Sequence, residues 1–340
     1  METKDYLDLR AVVILIIVTL LWGFNHPAIK ISNQGVSPIF ASTLRSIVAS
    51  ICGLIYCLRR REKVFHKDVM LFHGVMVGLL FGVEFACIYF GLLYTDAARS
   101  VLFVYLSPFV VAIGAHFFLK GDRLTFLKMM GLVLAFAGVF VVFGRRPITA
   151  KAEMYYGDIL QIAAGVLWGV TTIYIKKYMA KKVEPINTFL YQLFFSIPIL
   201  LVVSIVLEPK WIYRVDPYVV GSLFYQSVII AFVTYFVWFK LIHQYSVSRL
   251  SAFTFLTPIF GVFFGVLFEE HLFVDISSFV FFFSPLHIFF FSFGIIIRIN
   301  KVDISAIFVC QALQTEQHRL PGQIAGRLPI AADVHHGNFF

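Results

Sequence analysis

The sequence predicts an all-α integral membrane protein with ten transmembrane helices, arranged as two inverted repeats of five helices. Hydrophobic residues make up 60% of the 340 residues and charged residues 14%, whereas soluble domains average about 45–50% and about 25%. Much of the apolar sequence falls in runs of about 20 residues, the length that crosses a bilayer as a helix. The stretch Leu20–Lys30, LLWGFNHPAIK, returns as Val166–Lys176, VLWGVTTIYIK, and recurrence at a fixed spacing indicates a duplicated unit.

The duplication extends along both halves in a common order. The further matched segments are Val36–Pro38 with Val183–Pro185, Tyr105–Pro108 with Phe255–Pro258, and Asp122–Leu124 with Glu270–Leu272. Five crossings in each copy reverse the second copy, so the halves are inverted about an axis in the membrane plane. Inverted repeats that enclose a midplane site are a recurrent architecture of secondary transporters, in which one bundle rocks against the other.

Ten apolar segments account for the predicted helices. In the first repeat, residues 11–144, they are Ala11–Lys30, Pro38–Leu58, Val69–Tyr94, Ala98–Leu119 and Thr125–Gly144. In the second repeat, residues 157–297, they are Gly157–Tyr178, Ile186–Leu207, Tyr218–His243, Ser248–Phe268 and Leu272–Ile297. The sequence diverges after about Val274 into a Phe-rich run with Pro285 in its middle, and we interpret this as a frame change or a divergent extension. We expect the polar tail, residues 311–340, to be disordered.

Loop charge predicts the orientation. With a cytoplasmic N-terminus, the inner loops carry more than twice as many Lys and Arg residues as the outer loops, with the densest cluster at Arg59–Lys63. Positive loops stay on the cytoplasmic side. The first apolar run has no small-residue cleavage site before or after it, which favours an uncleaved first helix. We therefore expect a multi-pass protein of the cell membrane with its N-terminus inside.

Several function classes are excluded by composition and motifs. The net charge of +9 lies mostly in short loops without interleaved aromatic residues, so no nucleic-acid partner is expected. The four cysteines have no metal spacing, and no cofactor is expected. A P-loop is absent from the sequence, as are the HExxH and GxSxG motifs. The chain is therefore predicted to be neither an ATP-driven pump nor an enzyme.

The residues resemble a known family. The segment LLWGFNHPAIK, the later VSP with Arg45–Ser46, and EFACIYFGLLYTDAARSVLFVYLSPFVVAIGAHFFLKGDRL look like the EamA-type permeases of the drug/metabolite transporter superfamily. The resemblance covers about Ala11–Asp275 and departs on the last helix. It implies ten helices in two EamA repeats, both termini in the cytoplasm, and movement of metabolites, amino acids or xenobiotics, often outward.

Glu84 is the principal candidate for transport chemistry, because ionisable groups inside apolar helices tend to face a bundle interior or a water path. Gly74, Gly78 and Gly82 recur every four residues on the same segment and predict a close-packing face. At 100° per residue, Glu84 points about 120° away from that face. We hypothesise that its carboxyl group exchanges a proton for substrate; the alternative is a structural carboxylate paired with Arg99, Arg45 or a helix end.

Trp22, Asn25 and His26 share one face of the first helix, and Trp168 and Thr172 occupy that face in the second copy. Aromatic rings with amide or hydroxyl neighbours suit a small amphiphilic substrate. Tryptophan near a helix end also anchors at the membrane interface, so both roles stay open.

Arg45 is expected to pair with Glu84 or with an anionic substrate, and Gln192 takes the corresponding place in the second half. Pro108 and Pro258 are predicted inside the fourth and ninth helices, where proline kinks a helix. They are candidates for a hinge or gate, and the alternative is a static bend that shapes the bundle. Further cavity candidates are Tyr89, Tyr105, Gln226, Tyr235 and Trp238. Lys30 and Lys176, at helix ends, are expected to snorkel to the interface.

These features favour a secondary active permease that exports or exchanges small metabolites, amino acids or drugs, with a small-molecule substrate and membrane lipid as its partners. One alternative is a nucleotide-sugar or phosphate-ester exchanger of the same superfamily, which would need several basic groups in its cavity. Another is a non-transporting membrane scaffold or sensor. Substrate, direction, coupling ion and oligomeric state stay open at this point.

Overall fold

The computed structural model describes residues 7–62, 64–65, 69–91, 94–95, 100, 103–143 and 152–268. All regular structure in these residues is helical, and their one β-bridge joins Val36 to Ile212. The predicted tenth helix, the divergence after Val274 and the polar tail lie outside the described residues.

The structure gives bounds for ten helices among the described residues. Two of them, Val247–Phe253 and Leu256–Phe268, replace the single helix predicted over Ser248–Phe268. The first five are α1 Leu9–Asn33, α2 Pro38–Arg60, α3 Val69–Gly91, α4 Ser107–Phe118 and α5 Phe126–Phe143. The next helix, α6, runs over Ala152–Tyr174 and continues as a π turn, Ile175–Met179; it is followed by α7 Pro185–Leu207. The remainder are α8 Pro217–Gln244, with a π-helical middle at Tyr225–Thr234, then α9 Val247–Phe253 and α10 Leu256–Phe268.

Six of these helices, α1, α2, α3, α6, α7 and α8, are long and apolar enough to cross a membrane. Their ends follow local signals. Asp8 caps α1 by accepting a 2.9 Å hydrogen bond from the Ala11 N–H, and Asp216 caps α8 by accepting from the N–H groups of Tyr218 and Val219. Side-chain oxygens at this position satisfy N–H groups that the helix itself leaves unpaired.

The two hinge prolines differ from their predicted placement. Pro108 lies in the first turn of α4, and Pro258 lies in the first turn of α10, after a two-residue turn that ends α9. Proline lacks an N–H and fits the first turn, where that group would have no helical partner. A turn therefore separates α9 from α10 before Pro258, and a turn at Tyr105 and Leu106 precedes α4 before Pro108, where the sequence predicts a kinked helix.

Helix pairing is reciprocal between the two halves. α3 packs on α6 and α7, while its counterpart α8 packs on α1 and α2. In the same way α1 packs on α10, and α6 packs on α4. Each of these contacts between the first and second half therefore has an equivalent in which the two halves change places. Equivalent helix surfaces enclose the centre of the bundle from both sides.

The predicted glycine face of α3 packs against α7. Cβ atoms added to Gly74, Gly78 and Gly82 would collide with Tyr191, Phe195 and Ile199. Small residues let backbones approach closely, and close van der Waals packing holds helices together where the hydrophobic effect is weak. This contact fixes the rotation of α3 and therefore turns Glu84 away from α7's Phe195.

Candidate functional site

The helices enclose a cavity of about 410 Å³ whose wall includes residues of α1, α2, α3, α6, α7 and α8. It extends from Ile175 and Ile242, near one end of α6 and α8, to Asn33, Thr95 and Ser100 at the opposite end of the bundle. This volume lies in the range of about 300–1,000 Å³ that small-molecule sites occupy.

Aromatic rings form one wall of the cavity. The ring centroid of Trp22 lies 5.4 Å from that of Trp238, 6.0 Å from Tyr235 and 6.4 Å from Trp168, in edge-to-face arrangements. Tyr105 lies 5.7 Å from Trp168. The Trp22 indole Nε1–H also donates a 2.8 Å hydrogen bond to Thr234 Oγ1. These contacts join the three helices α1, α6 and α8 and the turn before α4 into a rigid apolar surface.

The geometry shows why the Trp-Gly pair occurs in both repeats. Trp22 and Trp168 line the cavity, while the next residue of each helix is a glycine. An added Cβ would lie 2.6 Å from Phe260 Cβ at Gly23, and 2.6 Å from Val110 Cβ at Gly169. Each motif therefore supplies a cavity wall with one residue and a close helix contact with the next.

Two oppositely charged side chains face the cavity. Arg45 is 2% exposed and Glu84 is 5% exposed, and both line the cavity. The Arg45 guanidinium carbon lies 4.3 Å from the Phe85 ring centroid and 5.9 Å from that of Tyr235. Cation–π attraction of this kind holds a guanidinium over an aromatic face while leaving its N–H groups in plane. Arg45 is therefore oriented without using its hydrogen-bond donors.

Hydrogen-bond capacity remains unused at these two charges. Among the described residues, Arg45 Nε and Nη2 and Glu84 Oε2 are buried and have no hydrogen-bond partner. The same holds for oxygen atoms of four further cavity residues, Asn25, Thr171, Gln192 and Thr257. Leaving a buried polar group unpaired costs about 1–3 kcal/mol. A polar molecule in the cavity, whether water or solute, would supply the hydrogen bonds that the protein does not.

The structure places most of the predicted site residues on this cavity. Those that line it are Trp22, Asn25, Arg45, Glu84, Tyr89, Trp168, Thr172 and Gln192. The side chain of His26 lies outside the described part. The Thr172 hydroxyl donates to the Trp168 carbonyl at 3.0 Å, so its hydrogen is already engaged. Pro108 and Pro258 are buried away from the wall and shape the helices that flank it.

Sequence reasoning missed Thr171 and Thr257, whose hydroxyls lie at the cavity with unused capacity. A threonine in an apolar helix gives no signal of its own, because its hydroxyl commonly bonds to the preceding turn. Gln226, considered as a cavity residue, instead joins α8 to α1. Its Nε2 donates to Ser32 Oγ and Ser222 Oγ, each at 3.0 Å.

In the part of the chain that the structure describes, no three His, Cys, Asp or Glu side chains come together as a metal site would require. The described residues that line the cavity offer one cation, one carboxyl group, amides, hydroxyls and aromatic rings.

Helices long and apolar enough to cross a membrane, arranged around such a cavity, define the class as a multi-pass membrane protein with a central cavity. The sequence pattern of the EamA-like transporter family matches residues 9–144 and 155–284. The chain belongs to this family.

Individual relatives agree with this assignment. The uncharacterized transporter YoaV of Bacillus subtilis is 26% identical over 74% of this chain and 86% of its own length. A probable amino-acid metabolite efflux pump of Escherichia coli is 24% identical over 74% of this chain and 84% of its own. A crystal structure, 18% identical, superposes with a TM-score of 0.71 over 84% of this chain and 96% of its own, which shows a shared fold.

Proposed function

We propose that this chain is a secondary active transporter of the cell membrane that exports or exchanges amino acids or related zwitterionic metabolites. The observation that carries the proposal is the pair of buried, opposite charges on one cavity wall. The unused Arg45 donors suit a substrate carboxylate. Glu84 Oε2 suits a substrate ammonium, and the indole wall suits an apolar side chain. The Escherichia coli relative, named a probable amino-acid metabolite efflux pump, supports the same substrate class.

The architecture in this proposal is the predicted one: ten helices in two inverted repeats, residues 11–144 and 157–297, with the N-terminus in the cytoplasm. Its support is the reciprocal pairing, in which α3 on α7 is matched by α8 on α2. Alternating access then rocks one set of helices against the other around a fixed site. The helix breaks before Pro108 and Pro258 are the hinges of this motion.

Glu84 is the proposed coupling residue. A carboxylate this deeply buried is costly when it is charged and unpaired. In the proposed cycle its oxygen binds the substrate ammonium on one side of the membrane and a proton on the other. Bound proton and bound substrate then exclude each other, which is the condition for exchange.

The phosphate-ester alternative has less support. Phosphate groups are recognised by several cationic or N–H donors, and Arg45 is the one basic side chain among the described residues that line the cavity. A doubly charged substrate would leave at least one of its charges unpaired in this site.

The test is uptake of radiolabelled amino acids into proteoliposomes that contain the purified chain, beginning with aromatic ones because of the indole wall. We expect at least one amino acid to accumulate when an outward-directed gradient of the same compound is present. In Glu84→Gln the indole wall should still bind the apolar side chain of the amino acid. The dependence of exchange on the pH gradient should disappear. Glu153→Gln is the matched control, because Glu153 is exposed near the start of α6.

Two results would contradict the proposal. Absence of uptake for every amino acid, with uptake of a sugar phosphate instead, would favour the phosphate-ester exchanger. Unchanged pH dependence in Glu84→Gln would remove Glu84 from coupling while leaving the substrate class intact.

A further inference from the structure

Charged side chains from three separate parts of the chain converge on the turn between α8 and α9. This α8–α9 turn consists of Tyr245 and Ser246, since α8 ends at Gln244 and α9 begins at Val247. Both turn residues are only 4% exposed. Connecting turns normally lie at the surface, where water satisfies their backbone groups. Here the protein has enclosed the turn and supplies the partners itself.

The first contact comes from α6. Lys176 Nζ donates to the carbonyl oxygen of Ile242 at 2.6 Å and to that of Tyr245 at 2.8 Å. These carbonyls belong to the end of α8, where helical partners run out and a cation is favoured by the helix dipole. Lys176 therefore does not snorkel outward as expected from its place at a helix end. The π turn Ile175–Met179 coincides with this contact.

The second and third contacts come from the N-terminal residues and from the loop between α4 and α5. Tyr245 donates its hydroxyl hydrogen to Asp8 Oδ2 at 2.8 Å. Asp122 Oδ2 accepts from the Ser248 N–H at 3.1 Å, and Asp122 Oδ1 accepts from Lys128 Nζ at 3.1 Å. Three charged groups thus hold one turn from three directions, through backbone atoms as well as one side chain.

The α8–α9 turn lies just beyond one end of the cavity. Ile175, next to Lys176, and Ile242, whose carbonyl Lys176 binds, are both cavity-lining residues and each is 1% exposed. A substrate leaving the cavity on this side has to pass between the ends of α6 and α8. The Lys176 hydrogen bonds join these two ends directly.

We propose that Lys176, Asp8 and Asp122 form a clasp that closes the cavity on the side of the N-terminus and opens once in each transport cycle. In the closed state the clasp holds the α8–α9 turn against α6. Opening breaks the two Lys176 hydrogen bonds, and the freed ammonium and carbonyl groups become hydrated on that side. The clasp rests on the transport function proposed above, because only a transporter needs this end of the cavity to open.

The test measures access to the closed end of the cavity. In a background with Cys52, Cys57, Cys87 and Cys310 replaced by alanine, Ile242→Cys places one thiol there. Sealed vesicles of both orientations receive a membrane-impermeant maleimide, so that labelling from each side is measured separately. We expect Lys176→Met to raise the labelling rate from the N-terminal side about tenfold, because two charge-assisted hydrogen bonds are lost. Tyr245→Phe, which removes only the bond to Asp8, should raise it about threefold.

Two variants control for local disturbance. Lys177→Met changes the neighbouring, exposed lysine and should leave labelling at the starting rate. Lys176→Arg keeps a charged donor and should restore most of the protection. If Lys176→Met does not fold, Tyr245→Phe decides the test.

Labelling of Lys176→Met and Tyr245→Phe at the Lys177→Met rate would overturn the clasp. So would an equal increase from both sides, since that indicates general loosening. Labelling needs no substrate, so failure to find a transported amino acid would refute the proposed function without touching this result.

Discussion

The two halves of the molecule share their packing but not their polar chemistry. Trp22 and Trp168 reach the cavity from corresponding positions, and the glycine after each contacts the opposite half in the same way. At other corresponding positions the first half has Arg45 where the second has Gln192. Likewise, the second half has Thr234 at the position that corresponds to Glu84. Duplication has preserved the frame of the cavity, while its charges come from the first copy alone among the described lining residues.

The helices differ as well as the charges. α3 presents Gly74, Gly78 and Gly82 to α7, whereas the corresponding residues of α8 are Phe224, Val228 and Phe232. α3 is a regular α-helix, while the middle of α8 is π-helical. π segments are frequent at functional sites. The difference suggests a tightly packed first copy and a second copy with more freedom to rearrange.

The largest expected effect comes from moving the charge between halves. Arg45→Gln removes the cation and leaves the substrate carboxylate without its donors, a loss of about 2–5 kcal/mol or at least about 30-fold in affinity. Adding Gln192→Arg restores a cation in the other half, but without the Phe85 face that orients Arg45. We expect little recovery. Affinity is measured by binding of the compound identified in the uptake screen.

Arg60→Gln, an exposed arginine at the end of α2, is the control and should bind normally. Full recovery in the double variant would mean that the two halves offer equivalent sites, and the asymmetry would then have no role in binding.

Much of this asymmetry was visible in the sequence. Hydropathy and the Trp-Gly repeat predict the six long helices closely, and the four-residue spacing of Gly74, Gly78 and Gly82 predicts the packed face that turns Glu84 aside. Other features depend on contacts distant in sequence. The sequence alone does not distinguish Lys176 from a lysine at the membrane interface, because its contact with the end of α8 is visible only in the folded structure. The breaks before Pro108 and Pro258 and the π segments also escape hydropathy, because apolar residues fill every helix type alike.

The second prediction tests the packing difference with matched glycines. Gly78→Ala places a methyl group against Phe195 of α7, and overpacking of this kind costs about 1–3 kcal/mol. Gly221→Ala, on α8, meets nothing within 4 Å and should stabilise by about 0.5–1 kcal/mol through helix propensity. Melting temperatures in detergent should therefore move in opposite directions. A rise in both would show that the α3–α7 contact is not tight.

The third prediction concerns Asp122, a first-half loop residue that holds the second-half helix α9. Burial alone would raise the pKa of Asp122, but the Lys128 ammonium and the Ser248 N–H outweigh it and hold that pKa below its ordinary value. A carboxyl group whose pKa is lowered on folding stabilises the fold above its unfolded pKa, and the contribution disappears as pH falls through the folded value. The melting-temperature difference between the native chain and Asp122→Asn should stay constant from pH 8 to about 5 and shrink below about 4. A difference that already fades between pH 7 and 5 would contradict this.

The smallest expected effect separates the two tryptophans. Trp22 donates its indole N–H to Thr234 Oγ1 at 2.8 Å, so Trp22→Phe loses this bond as well as ring area. A hydrogen bond of this kind contributes about 1 kcal/mol, or about fivefold in a binding constant. We expect Trp22→Phe to weaken amino-acid binding about fivefold more than Trp168→Phe does. The reason is that the Trp22 hydrogen bond holds the aromatic wall of the cavity against α8 at Thr234, the second-half equivalent of Glu84. Trp22→Phe combined with Thr234→Val provides the check, because both substitutions remove the same hydrogen bond. If the double variant loses about fivefold less than the two single losses combined, the bond accounts for the difference between the copies. If the two losses combine in full, Trp22 acts through its ring and the halves are equivalent on this wall.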